Sequence, residues 1–213
     1  MARTFSFLTV ALATVAAALC GSSSAIAQPA PSTTGASSGS KAPESAEMEQ
    51  ADKYFKAGDL KNTMKSLHEA GLKNPKLPSE YILMYAIFMN RRQPNQARAF
   101  LERAVDETPS DPEPWVLLGD IALNEGRLAE SRLDLLKANQ LLDGYKSSHK
   151  PLIQNELLLN LASWDERKER WDDAQRQLEK YLVNVPEDVR ALQRLARAKF
   201  WQKKVREAYS DLQ

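Results

Sequence analysis

Cysteine is nearly absent: the 213 residues contain one, Cys20. It lies in an N-terminal apolar stretch, and the residue before it is Leu19, where a lipidation box needs a small side chain. Removal of that stretch leaves no thiol. Disulfides and thiol chemistry are then excluded, and stability rests on packing alone. Histidine is almost as scarce. His68 and His149 are far apart, and His68 is followed by Glu69-Ala70-Gly71-Leu72 rather than by a zinc-protease spacing. No G-x-S-x-G elbow, P-loop or dinucleotide glycine fingerprint occurs. The chain therefore reads as not an enzyme, with no catalytic residues, no metal and no cofactor. Excess charge is missing too. The formal net charge is +1, and Arg3 is the only charged residue before Gln28. A balanced chain has no global field to gather nucleic acid or an anionic membrane, so no nucleic-acid partner is expected; a local basic patch remains open.

Long apolar runs are absent except at the start. Arg3, the stretch Phe5–Leu19 and the small residues of Ala25-Ile26-Ala27 form a secretory signal, with cleavage expected between Ala27 and Gln28. The alternative is an uncleaved membrane anchor, for which the run is short and is followed by Gly21, Ser22, Ser23 and Ser24. The chain is expected to be exported, periplasmic or secreted, and export without disulfides fits a bacterial periplasm better than the animal extracellular space. Membrane association is expected only through a partner or an uncleaved leader. Residues 28–43 are rich in Pro, Ser, Thr, Gly and Ala and read as a disordered, flexible linker. Residues 44–213 then carry the fold.

What is abundant in that remainder is repetition. Leu67, Leu101 and Leu135 recur every 34 residues, as do Ala70, Ala104 and Ala138, and Pro75 and Pro109. Ala174 and Ala208, and Leu178 and Leu212, keep the same step. One break occurs: Leu135 and Leu178 differ by 43, nine more than the period. Gly58 and Gly126 mark tight turns where a positive φ is often needed. Repeats fall at about 44–77, 78–111, 112–145, 155–188 and an incomplete 189–213. The insert lies around Tyr145 to Ile153, where Ser147, Ser148 and Pro151 predict an early start for the next helix, at about Pro151.

The 34-residue period and its residue types resemble the tetratricopeptide (TPR) repeat. Small residues are expected where helices A and B of a hairpin cross. Here helix A offers Ala51, Tyr85, Gly119, Ala162 and Ala196, and helix B offers Thr63, Ala97, Ser131, Ala174 and Ala208. A second small position of helix B is Ala70, Ala104, Ala138 and, against the pattern, Tyr181. Bulky side chains at such crossings would push the axes apart, so Tyr85 and Tyr181 predict local shifts. Proline closes helix B at Pro75, Pro109 and Pro186, with Asp143 in its place once. The resemblance implies an all-α fold, a right-handed α-α superhelix (TPR solenoid) of about five helix-turn-helix repeats.

In this family helix A lines a concave groove. Carried over position by position, the peptide-binding groove would present Met48, Asp52 and Phe55, then Ile82, Ala86, Met89 and Asn90. The third repeat would add Glu113, Val116, Asp120, Leu123 and Asn124, and the fourth Leu159, Ser163, Glu166 and Arg167. The fifth would add Arg190, Gln193, Arg197, Phe200 and Trp201, with Arg194 beside them. An apolar floor with acidic points and an arginine-rich end suits an extended or helical peptide; the same arginines also read as ordinary solvated charges. The Lys and Asn pair with which some TPR co-chaperones grip a terminal carboxylate is absent. Its equivalents are Met48 with Asp52, Ile82 with Ala86, and Val116 with Asp120.

The expected function is a non-catalytic scaffold that binds a protein or peptide. Two alternatives stand beside it: an assembly factor for envelope or polysaccharide-export machinery, and the recognition arm of a longer enzyme. The second is motivated by a fifth repeat that reaches Gln213 without a polar capping helix.

Overall fold

The computed structural model describes residues 46–210. The expected leader, its cleavage point at Ala27 and Gln28, the whole linker 28–43, and Leu212 lie outside the described residues. Among the described residues there are ten α-helices and no strand. They are α1 Ala46–Lys56, α2 Leu60–Lys73, α3 Glu80–Asn90, α4 Pro94–Glu107, α5 Pro112–Asn124, α6 Leu128–Leu142, α7 Lys150–Arg167, α8 Trp171–Asn184, α9 Val189–Trp201 and α10 Val205–Ser210. The fold class is all-α, of the repeating-hairpin kind. Two compact units divide at Ala97 and Arg98, inside α4.

The same turn closes each hairpin. In the first, Gly58 N–H donates to Phe55 O and Asp59 N–H donates to Tyr54 O. This is the paired bonding of a Schellman motif, which needs one residue in the left-handed region. Gly58 and Gly126 supply it at φ 79° and 80°. At the equivalent places the chain instead puts Arg92, Glu169 and Lys203, at φ 58°, 55° and 65°. Their bonds are the same: Gln93 N–H to Phe88 O, Arg170 N–H to Asp165 O, Lys204 N–H to Lys199 O. Holding an L-residue there costs about 1–2 kcal/mol. The turn persists because the flanking helices over-determine it.

In the first unit α1 packs on α2 and α2 on α3. Ala51 and Thr63 are both buried, as are Leu67 and Ala70. Thr63 returns its hydroxyl to Asp59 O at 2.7 Å, so its polar atom is satisfied. Asp59 caps α2 by accepting from Asn62 N–H at 3.0 Å. That bond and the Asn62 side chain hold its carboxyl below the usual range. Helix α3 differs from its neighbours. Its sequence is apolar all round, and every residue from Tyr81 to Phe88 is buried. A helix with no polar face is a core helix rather than a surface one. Tyr85, too large for the small position, is accommodated there and fully buried.

In the second unit α5 and α6 cross most closely at Gly119. A Cβ added there would meet Leu135 Cδ2 at 2.8 Å, so only glycine fits the approach. Asp111 caps α5 by accepting from Glu113 N–H at 3.0 Å, with Pro112 in the first turn. Val116, Leu135, Ala138, Leu142, Ile153, Leu157 and Leu161 form one core cluster, with Trp115 and Tyr145 packed against it. The insert therefore belongs to the core at both ends, through Tyr145 and Ile153. Helix α7 starts at Lys150, the early start expected from Pro151, and runs for 18 residues.

Tyr181 departs from the small-residue pattern with a consequence. It is buried in a second cluster with Leu158, Ala162, Leu178, Ala191 and Leu195. Its hydroxyl donates to Asp188 Oδ2 at 2.8 Å. Asp188 in turn caps α9 by accepting from Arg190 and Ala191 N–H. Burial and this carboxylate push the phenol pKa up. The bulky side chain thus fixes the start of the following helix.

Candidate functional site

The residues expected in the groove separate by burial. In the first unit Ile82 and Ala86 are buried in α3 and available only to the core. Met48 is buried as well. Asp52 pairs with Lys56 at 2.6 Å. Phe55 meets Phe88 edge to face at 5.4 Å, and the Arg91 guanidinium lies over the Phe55 ring at 4.5 Å. Met89 is half-buried and Asn90 exposed. Of the expected groove residues in this unit, Met48, Ile82 and Ala86 are thus covered, and Asp52 and Phe55 are engaged by neighbours. His68, on α2, pairs with Glu80 at 3.2 Å and belongs to that framework.

The second unit is different. Helices α5 and α7 lie side by side, and between them sit carboxylates that burial has made weak acids. Glu113 is 6% exposed and its pKa is pushed up to about 8, first by burial and then by the nearby charges of Asp111 and Glu156. Glu156 is likewise raised to about 8, by burial and by Asp120. Asp120 is raised by burial, against the pull of a hydrogen bond from Asn124 and the charge of Arg167. His149 Nδ1 stands 4.0 Å from Glu113 Oε2. Tyr145 hydrogen-bonds Asp111 and is itself raised to about 12 by burial. Glu156 was not among the expected groove residues. The signal was in the repeat register, since Glu156 occupies in the fourth repeat the place that Glu113 occupies in the third.

Val116 and Leu123, expected as groove floor, are buried at 1% and 2% exposure. Val116 is in the core cluster with Ile153 and Leu157. A helix stripe wide enough to pack on two neighbours leaves its apolar residues covered, so the open inner face is polar. Asn124 is exposed, and Asp120 and Leu159 are half-exposed. The arginine-rich end is also reorganised. Arg194 Nε donates to Glu166 Oε1 at 3.0 Å and Arg194 Nη2 to Ser163 Oγ at 2.8 Å. Arg197 Nη2 donates to Glu166 Oε2 at 2.8 Å. One carboxylate therefore holds both guanidinium groups and lashes α9 to α7. Arg167 Nη1 donates to Leu123 O at 2.5 Å and ties α7 to α5. These cations brace the helices that carry the inner face. Arg190 is exposed, as are Phe200 and Trp201.

Chemically, this face offers hydrogen-bonding groups and latent negative charge on rigid helices. Among the described residues, no group of three or more His, Cys, Asp and Glu is placed to hold a metal ion.

The sequence model of the family described as tetratricopeptide repeat matches residues 87–140. Among solved structures, the crystal structure of MamA is similar, at 20% identity over 76% of this chain and 90% of that one, with a TM-score of 0.52. That likeness speaks to the fold. No curated protein matches the chain. The 34-residue period, the repeated Schellman turns and the small residues at most of the crossings agree with these findings, which together support a tetratricopeptide-repeat protein.

Proposed function

We propose that the chain is a non-catalytic scaffold, exported by its N-terminal leader, that binds a protein or peptide on the inner face of α5, α7 and α9. One observation carries this reading: Glu113, Asp120 and Glu156 are gathered where they destabilise one another, beside the accessible Asn124 and Leu159. Groups optimised only for stability are not normally kept as crowded, desolvated acids. A ligand that supplies hydrogen bonds or positive charge relieves that cost on binding. The bracing by Arg167, Arg194 and Arg197 keeps the face pre-organised, which lowers the entropy lost on association.

The test is site-specific photo-crosslinking in cells. A photoreactive residue at Asn124 or Leu159 should trap the same partner, and the same residue at Leu133, exposed on α6, should not. Equal trapping at all three positions, or none at Asn124 and Leu159, would reject the inner face as the binding surface.

A further inference from the structure

The last described hairpin carries a surface that the inner-face reading does not use. The segment Lys199–Tyr209 reads KFWQKKVREAY. Phe200 and Trp201 are 55% and 57% exposed, and Val205 and Tyr209 are exposed on α10. Phe200 and Trp201 meet edge to face at 5.9 Å, and Trp201 stacks on Trp171 at 5.8 Å, so the rings are held rather than loose. The turn bonds from Lys203 N–H to Phe200 O and from Lys204 N–H to Lys199 O fix the backbone of this turn, and Lys204 Nζ donates to Gln175 Oε1 at 3.2 Å. Lys203, Lys204 and Arg206 are exposed. Between Val189 and Ser210 the sole carboxylate is Glu207. Asp173, near Trp171 in sequence, is already held by Arg170 and Arg176.

Exposed rings flanked by Lys and Arg match the interfacial region of a bilayer. Trp and Tyr favour the headgroup level, and clustered cations favour anionic lipid. Three exposed cations, Lys203, Lys204 and Arg206, stand here against one carboxylate, Glu207, so the patch complements an anionic surface. We propose that the α9–α10 turn is a peripheral docking surface for an anionic lipid bilayer, with Trp201 and Phe200 at the headgroup level and Lys203, Lys204 and Arg206 facing anionic headgroups. Among the described residues no helix is long and apolar enough to cross a membrane, so the contact is superficial. It provides a route to the membrane besides a partner or the leader, and it is independent of what the inner face binds.

The experiment is flotation of the full chain with vesicles of phosphatidylcholine, with and without phosphatidylserine. Binding should require phosphatidylserine and weaken with salt. Lys203→Glu, Lys204→Glu and Arg206→Glu together should weaken it by about a hundredfold or more. Quenching of tryptophan emission by bromine-labelled lipid should fall in Trp201→Phe. This reports the patch itself, because the expected leader contains no tryptophan. If the charge-reversed protein loses helical circular dichroism, the corresponding triple glutamine variant is read instead. Equal vesicle affinity of wild type and the folded variant would overturn the proposal. So would capture of a Glu-rich amphipathic peptide, lost on charge reversal, with no vesicle binding.

Discussion

Helix α3 in the first unit and helices α5 and α7 in the second are all A helices of their hairpins, yet they carry opposite kinds of burial. From Tyr81 to Phe88 α3 buries eight consecutive residues, of which none is charged. In the second unit Glu113, Asn160 and Asp165 are buried among the apolar residues of α5 and α7. One repeat architecture thus supports a helix that serves packing and helices that pay in stability for a polar inner face. The hairpin frame is common to both, so the difference lies in what each A helix presents beyond that frame.

The sharpest way to break this comparison is to cut into α3. Leu83→Ala removes a fully buried side chain and should cost about 2–5 kcal/mol in urea unfolding. A loss below about 1 kcal/mol would mean that α3 is not a packing helix. Next come two glycines. Gly119→Ala forces a methyl into Leu135 and should cost about 1–3 kcal/mol. Gly71→Ala, in α2 with nothing within 4 Å of the added carbon, should stabilise by about 0.4–1 kcal/mol. Equal effects at the two sites would show that the α5–α6 approach is not what requires glycine. Smallest are the turns: Arg92→Gly and Glu169→Gly relieve the left-handed backbone and should each stabilise by up to about 1 kcal/mol. A loss at either site by thermal unfolding would show that its side chain contributes more than its backbone costs.

Much of the fold was legible because a repeat writes the same constraint several times. The step between Leu67, Leu101 and Leu135 disclosed the register, and the nine-residue break disclosed the longer α7. The left-handed turn was legible at Gly58 and Gly126 but not at Arg92, Glu169 or Lys203, where the residue type hides a conformation that only the flanking helices enforce. The inner face was less legible. Periodicity places Ile82 and Val116 on a face but does not say that a neighbouring helix covers it. Nor does it show that Glu166 reaches Arg194 and Arg197 on α9, since pairing across hairpins depends on how they stack. Glu156 could be found from register; its raised pKa comes from burial and then from Asp120, which lies on another helix.

The contrast between packing helix and binding face is tested most directly by following the denaturant midpoint against pH in wild type and in Glu113→Gln, Glu156→Gln. Both acids are protonated in the fold up to about 8 against an ordinary value of 4.5. The folded state therefore binds more protons than the unfolded chain across that window, and stability falls as pH rises through it. Asp111 lies beside Glu113 and Asp120 beside Glu156, each raising its neighbour further, and His149 Nδ1 is 4.0 Å from Glu113 Oε2. The wild-type midpoint should decline from about pH 5 to about pH 9, whereas the double variant should be flatter and at the alkaline end at least as stable. A wild-type midpoint that rises with pH, or a double variant as destabilised as Leu83→Ala, would contradict the view that these carboxylates are kept for binding rather than for stability.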